Sequence, residues 1–387
     1  MRQLPVRIPE PIRLRPTTEE FGEQLSRLRH VSGVYVLCST GTPLHLSWSA
    51  NLERRLKRLL LSSYPGARDA NGRLADKLTS VECWPTGSRL ELSILLYHVA
   101  KKIHPQSYTK FLKMRMPWFV GLTGADPYPR LETVNRLSGK YESLWGPFPA
   151  RGSAQQYEGE TLGLFQIRRC AEVLTPHPEH PGCIYGEMNH CLRPCQATVS
   201  ASEYGVEAKR VRDFLDTNGR AAIAALSSAR ERACDEAEFE QAAQIHKRIE
   251  KLKAAAALRD PVIRELKVFN GLALTRSVAP GRFVLWPMLG GLWQEPVPLD
   301  LPEEGSRVKS LDTAIRELLT DRLPAGEINA VHTEADRCEQ IAIFSRWYYS
   351  SWRDGDWFPF AGLADLNYRK LVRGLSRMAQ PMQLAGR

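Results

Sequence analysis

The 387-residue chain is long enough for two or three domains, and its 43% apolar and 25% charged residues exclude a wholly disordered polypeptide. Lys and Arg number 53 against 43 Asp and Glu, a net charge of +10 that suits nucleic acid or an anionic membrane surface. No run approaches the roughly 18 apolar residues of a membrane-crossing helix, and the opening MRQLPVRIPEPIRLRP places Pro and Arg where a signal peptide needs an apolar core, so a soluble cytoplasmic protein is expected.

Residues 1–27, rich in Pro and Arg, read as an extended arm. From Val31 the run Gly33-Val34-Tyr35-Val36-Leu37 alternates like a strand, breaks at Ser39–Pro43 and resumes at Leu44-His45-Leu46, which predicts a hairpin. Leu52, Leu56 and Leu59 then fall at helical spacing behind a cap offered by Ser49 or Asn51. Residues 65–75 read as loop, Val81–Trp84 as a strand and Leu90–Lys102 as a helix, so 28–125 is expected as a small β-β-α-β-α domain. Residues 126–215 are loop-rich, with amphipathic helices expected at Glu160–Arg169 and Ser202–Leu215. Within 216–260 the chain from Arg220 to about Leu258 is built from helix formers without proline, pauses at Asp235-Glu236-Ala237 and ends at Asp260-Pro261, which predicts two antiparallel helices. Apolar alternation in 266–274 and 282–293, a helix at 311–321, a strand at 328–332 and a long helix at 335–352 make 265–387 an α/β module. The fold class expected is α+β and multidomain.

Four of the eight cysteines, Cys170, Cys183, Cys191 and Cys195, fall close together. In a reducing compartment such a cluster reads as metal binding rather than disulfides. Four converging thiolates fit tetrahedral zinc or a cubane iron–sulfur cluster equally well, and spacing alone does not separate them. His177, His180 and His190 are further candidate zinc ligands, and Arg168, Arg169 and Arg193 are expected to lower the thiol pKa values. In the hairpin, Phe239, Ala242, Ala243, Ile245, Ile249 and Leu252 recur at helical intervals. Such a thin amphipathic pair is either a solvated linker or a surface that docks on another helix pair.

Four segments in order resemble the amino-terminal two thirds of the UvrC family, the endonuclease subunit of nucleotide excision repair. Gly33-Val34-Tyr35, the Leu44–Leu46 strand and Asn51-Leu52-x-x-Arg55-Leu56 are similar to its GIY-YIG nuclease opening. Tyr141-x-x-x-Trp145-Gly146-Pro147-Phe148-Pro149 resembles its G-P-F-P segment, and the four-cysteine run with Arg193-Pro194-Cys195 resembles its cluster. Glu238-Phe239-Glu240-x-Ala242-Ala243 resembles its UVR motif, and Phe269–Ala273 with Gly290-Gly291 weakly resembles the family's next region. The resemblance implies a [4Fe–4S] cluster on Cys170, Cys183, Cys191 and Cys195. It also implies a UvrB-like helicase partner met through Glu238, Phe239, Glu240, Ala242 and Ala243.

Two departures shape the expectation. The chain stops where the family places its RNase H-like nuclease and helix-hairpin-helix domain, so the 5′ incision is expected to be absent. The GIY-YIG positions are also altered. Tyr35 and Arg55 match the first tyrosine and the phosphate-binding arginine. His45 stands at the second tyrosine, the base; Ser47 replaces the following glycine and Trp48 the lysine; Tyr97 falls at the metal-binding glutamate and Thr109 at the late asparagine. A neutral His45 can act as a base, but a hard cation needs the missing carboxylate, and a one-residue slip offers only His98. The expected protein is therefore a UvrC-like adaptor or modulator with an impaired nuclease domain. The alternative is an active endonuclease making a 3′ incision with Mg²⁺ or Mn²⁺, and a third reading is a zinc-stabilised nucleic-acid-binding protein.

DNA contact is expected at Arg54, Arg55, Lys57 and Arg58, continued by Lys101, Lys102, Lys110, Lys113 and Arg115. The aromatic run Phe344, Trp347, Tyr348, Tyr349, Trp352, Trp357 and Phe358 reads first as core or protein interface and second as a base-stacking surface.

Overall fold

A computed structural model describes residues 6–16, 20–61, 77–124, 126–136, 139–300, 310–323 and 333–380. The chain divides into two compact units, one drawn from 1–115, 270–332 and 342–387, the other from 116–269 and 333–341. Both are built on antiparallel sheets with helices, as an α+β chain requires. Among the described residues no helix is long and apolar enough to cross a membrane. The loop read at 65–75 and the strand expected at 328–332 lie outside the described residues.

In the first unit the hairpin forms from Ser32–Ser39 and Thr42–Ser49, with Tyr35 opposite Ser47 and Leu37 opposite His45. Ser80–Thr86 pairs on the other side of Ser32–Ser39, and Ile12–Leu14 pairs with Ser80–Thr86. The amino-terminal stretch is thus no extended arm. Leu14, Phe21 and Leu25 are buried with Tyr35, Leu37, Leu52 and Leu56, because an open sheet edge and an uncovered apolar face recruit them. Helix Leu52–Leu60 starts at Asn51, whose side chain accepts from the Arg54 backbone N–H at 2.9 Å. Gly33 has no room for a side chain, since a Cβ there would stand 2.3 Å from the Trp84 carbonyl oxygen.

Helix Arg89–Ile103 packs on the same sheet but adds nothing to the cluster that holds Tyr35 and Leu37, which places it on the opposite face. Its amino terminus is a capping box. The Glu91 N–H donates to the Ser88 hydroxyl at 3.1 Å, and the Glu91 carboxylate accepts from the Gly87 N–H at 2.7 Å.

Residues 270–332 and 342–387 do not stand as a separate module but group with 1–115, while 333–341 falls in the other unit. The contact is backbone on backbone: a Cβ at Gly87 would lie 2.2 Å from the Ser277 carbonyl carbon. Gly271–Arg276 is flanked by Arg282–Leu289 and Gly355–Pro359, with Leu292–Trp293 and Val297–Asp300 beyond Arg282–Leu289. The expected helix at 335–352 ends earlier, as Glu334–Tyr348, and the chain then turns so that Asp354 accepts from the Trp347 indole at 2.9 Å and from the Arg89 N–H at 2.5 Å.

The second unit holds Trp118–Thr123 between Leu131–Val134 and Tyr141–Phe148, with Arg264–Glu265 on the far edge. Trp118–Thr123 therefore belongs here and not to the 28–125 domain read from the sequence. The helix expected at Glu160–Arg169 is instead Arg151–Leu164. Beyond it the chain runs extended, because Phe165, Ile167 and Arg168 must all turn inward, which a helix cannot do at that spacing. Helices Ala201–Thr217, Arg220–Asp235 and Phe239–Ala257 follow. Asn218 and Gly219, both at positive φ, reverse the chain between the first two.

Burial raises the Glu91 pKa to about 7 against an ordinary 4.5, opposed by the Gly87 and Ser88 N–H groups and aided slightly by the charge of Asp354. The native carboxyl holds its proton through a range where the unfolded one has lost it, so this group's contribution falls as pH rises from about 4.5 to about 7. Glu91→Gln removes the titration. Urea unfolding at intervals across that window is expected to show the variant gaining on the parent with rising pH, by about 2–3 kcal/mol in total. A constant difference between the two would refute the assignment.

Candidate nucleic-acid interface and thiol centre

Tyr35 is fully buried, and its hydroxyl accepts from Arg55 Nε at 3.2 Å. His45 sits on the same sheet face, its ring centroid 6.2 Å from that of Tyr35. Partial desolvation and the Arg55 guanidinium hold the His45 pKa below the ordinary imidazole value, although the residue is open to solvent on one side. The structure thus brings Tyr35, His45 and Arg55 together.

Tyr97 falls in a second group. It is fully buried on helix Arg89–Ile103, its hydroxyl accepts from Lys101 Nζ at 2.8 Å, and Lys101 also lies over the Tyr108 ring at 5.2 Å. Tyr97, the residue expected at the metal-binding position, thus pairs with an ammonium and lies on a helix across the sheet from Tyr35 and Arg55. Thr109, next to Tyr108, is half-buried, and its carbonyl oxygen accepts from the Met114 N–H at 3.1 Å. His98 is buried against the Tyr97 ring, and burial lowers its pKa to about 4, so it is neutral at physiological pH.

Arg54, Arg55 and Arg58 are exposed on helix Leu52–Leu60. Lys57 is tied to Glu53 at 2.7 Å and half-buried, which removes it from the patch expected for DNA. Lys102, Lys110, Lys113 and Arg115 are exposed as well.

The four cysteines lie on a loop curled by left-handed backbone at Gly182, Asn189, Arg193 and Ala197. Cys191 and Cys195 are buried, Cys170 half-buried and Cys183 exposed. Burial, followed by the charges of Cys170, Cys183 and Cys195, pushes the Cys191 pKa to about 11, and Cys195 is raised by burial and by Cys183 and Cys170. The four thiols are therefore within electrostatic reach of one another. The expectation that nearby arginines would lower these pKa values fails at Cys191 and Cys195, where burial dominates and no guanidinium charge acts on the thiol. Among the described residues no group of three or more His, Cys, Asp or Glu side chains stands ready to hold a metal ion. His177 and His180 use their Nδ1 atoms to accept from the Glu179 and Gly182 N–H groups, so each folds back on its own loop.

Arg168 was legible only as a nearby charge, yet it organises this loop. Its side chain is 3% exposed. Nε donates to the Tyr128 carbonyl at 2.7 Å, Nη1 to the Glu172 carbonyl at 2.6 Å, and Nη2 pairs with Asp126. Nη1 also stands 3.9 Å from Cys170 Sγ. Arg169 stacks over Tyr185 at 5.0 Å, and the Arg193 stem lies where a Cβ at Gly186 would be.

In the hairpin, Ala242, Ile249 and Leu252 are buried, while Glu238, Phe239, Glu240 and Ala243 are exposed. Phe239, 70% exposed, presents a whole ring to solvent at the tip. Beside the hairpin runs an open groove of about 640 Å³, with Phe214 and Leu252 among its lining and Arg210, Lys247, Arg248 and Lys251 as its cations. The aromatic run divides: Phe344, Trp347, Trp357 and Phe358 are core, and Tyr348, Tyr349 and Trp352 are half-buried.

These features define a class: an α+β protein with a cationic helix whose exposed Arg55 meets a buried tyrosine, a four-thiol loop and an amphipathic helical hairpin. A family profile described as the UvrC/Cho excinuclease middle domain matches residues 117–214. The chain is 26% identical over 275 residues to UvrABC system protein C of Desulforudis audaxviator, covering 70% of this chain and 44% of that one. It is 26% identical over 226 residues to the same protein of Alcanivorax borkumensis (57% and 36%), and 27% identical over 253 residues to that of Desulfitobacterium hafniense (63% and 40%). The chain is thus UvrC-like, and it spans less than half the length of these curated relatives. No solved structure matches it.

Arg168→Met leaves two carbonyls and the Asp126 carboxylate without their donor, and is expected to cost about 2–4 kcal/mol in urea unfolding. Arg168→Lys should recover little, since one ammonium cannot span those acceptors. A midpoint unchanged in both variants would show the guanidinium to be dispensable.

Proposed function

We propose that the chain is a nucleotide-excision-repair protein that binds DNA and a UvrB-like helicase, and that its GIY-YIG-like domain is catalytically impaired. The observation that carries this reading is the similarity to UvrABC system protein C, which includes a middle-domain match across all four clustered cysteines. Impairment is supported by Tyr97, which stands at the position expected for the metal-binding carboxylate, accepts from the Lys101 ammonium and sits on a helix across the sheet from Tyr35 and Arg55. DNA contact is supported by the exposed Arg54, Arg55 and Arg58, which can release counterions from a phosphate backbone. Partner binding is supported by Phe239, exposed on a thin hairpin that gains by docking.

Cys170, Cys183, Cys191 and Cys195 are the residues that would hold a [4Fe–4S] cluster. In kind the donor set suits such a cluster, being four soft sulfurs close together in the chain, although the described side chains are not gathered around a common centre. When bound, the cluster would supply a cross-link among segments that are otherwise loop. The buried Arg168 guanidinium orients the Cys170 segment and offsets negative charge there.

One observation favours the second reading, an active endonuclease making a 3′ incision: His45 meets Tyr35 and Arg55, and partial burial with the Arg55 charge biases it toward the neutral form that a general base needs. The assay that separates the two incubates the protein with damaged or nicked duplex, Mg²⁺ or Mn²⁺ and the helicase. No cleavage is expected, and cleavage abolished by Arg55→Ala would sink the adaptor reading. An anaerobic preparation is expected to be brown with iron and sulfide in equal amounts, whereas colourless protein with one zinc would exclude the cluster. Phe239→Asp should abolish helicase binding with iron content unchanged, and undiminished binding would reduce the hairpin to a linker.

A further inference from the structure

The two faces of the hairpin sheet carry different chemistry. Tyr35, Leu37, His45 and Ser47 share one face by register, and Leu46 and Trp48 point to the other, where helix Arg89–Ile103 packs. On that second face, away from the Tyr35–Arg55 pair, lies a cavity of about 220 Å³. Its floor is apolar, formed by Leu92 and Leu96 of the helix and by Phe111 and Leu112. Two tryptophans line it: Trp48, 41% exposed at the end of its strand, and Trp352, half-buried after helix Glu334–Tyr348.

Three cations accompany them. The Arg89 guanidinium lies over the Trp352 ring at 5.5 Å, Arg346 is anchored on the Leu112 carbonyl oxygen, and Lys113 is exposed at the rim. Among the described residues lining the cavity there is no Asp or Glu. Its chemistry is therefore one-sided, with flat π surfaces, an apolar floor and positive charge only. An acidic side chain would find the charge but leave the indoles unused, and an apolar side chain would find the floor but leave three cations unanswered. A nucleobase with its phosphate uses both, since every base has a stacking face and carries an anion about one sugar away.

We infer that this cavity seats one unstacked base of single-stranded DNA, with Trp48 and Trp352 as stacking partners and Arg89, Lys113 and Arg346 toward the adjoining phosphates. This rests on the DNA-binding reading above and adds to it a strand form and a place. It also assigns a task to residues beyond 270, since Arg346 and Trp352 complete a cavity begun by the hairpin sheet. Stacking without edge contacts is tolerant of sequence, so the site selects unpaired over paired DNA rather than one base over another.

The test uses the full chain and fluorescence anisotropy with a labelled single strand of roughly 12 thymidine nucleotides. An abasic strand of the same length and a duplex serve as controls. Trp352→Ala is expected to weaken binding of the thymidine strand about 10-fold and to leave the abasic strand and duplex unchanged, with Trp352→Phe restoring most of the loss. Trp48→Ala, at a more exposed position, should act in the same direction, which covers the case of a poorly folded Trp352→Ala. Equal losses on thymidine and abasic strands would overturn the stacking assignment, as would unchanged thymidine binding in both alanine variants. If the parent binds duplex and only the pocket variants are silent, the pocket alone falls. If the parent binds no DNA of any form, the DNA-binding reading falls with it.

Discussion

A single buried guanidinium holds the cysteine-bearing region in shape. Arg168 closes the Asp126–Pro129 turn onto the Cys170–Glu172 segment, and its own backbone N–H donates to the Tyr204 hydroxyl at 2.7 Å. That hydroxyl donates in turn to the Pro129 carbonyl at 2.9 Å, so helix Ala201–Thr217 is tied into the same knot. A buried charge is costly unless each of its donors is answered, and here the answers come from Asp126 and Tyr128, some forty residues back, and from the nearby Glu172 carbonyl. That cost makes the arrangement specific, because a displaced partner leaves a charge uncompensated in a low-dielectric interior. The thiols inherit their positions from this knot and from the left-handed turns at Asn189, Arg193 and Ala197.

The rest of the second unit is fastened in the same way. The Trp145 indole, fully buried in Tyr141–Phe148, donates to Asp216 at the end of helix Ala201–Thr217. Arg259 reaches the carbonyl of Leu215 and that of Ile263, so the hairpin's far end is held to the helix that precedes it. The tip is left open. The buried positions Ala242, Ile249 and Leu252 join the two hairpin helices or their base, and Phe239 remains outside. A hairpin anchored at one end with an aromatic ring at the other is arranged to present that ring.

The hairpin, the capped helix Leu52–Leu60 and the helix pair around Asp235–Ala237 were legible because their signals are local: alternation of two, spacing of three to four, and a turn where neither continues. The Ser88-x-x-Glu91 and Ser200-x-x-Glu203 boxes are equally local signals and both form, although neither was read from the sequence. The amino-terminal strand was not, since Ile12–Leu14 is too short to show a period and exists only because Ser80–Thr86 has a free edge. Helix Arg151–Leu164 was misplaced because Phe165, Ile167 and Arg168 continue a pattern that looks helical until the inward pull of the Tyr204 and Asp126 contacts is known. At the site, the family resemblance pointed to Tyr35, His45 and Arg55, which meet. Charge pattern pointed to Lys57, which Glu53 neutralises, and nothing in the sequence assigned Trp48 and Trp352 to one cavity.

What the sequence determined by itself is the set of chemical groups and their local frames: four thiols in one loop, a cationic helix behind a strand pair, an amphipathic helix pair. These arise from short-range rules, in which each residue constrains only its near neighbours. The tertiary structure decided which groups share an environment. It set His45 beside Arg55 and Lys101 on Tyr97, buried Cys191 until its thiol resists ionisation, and brought residues near 350 against a strand near 48. Desolvation and Coulomb energy depend on distance in space and on exclusion of water, and both are properties of the packed chain.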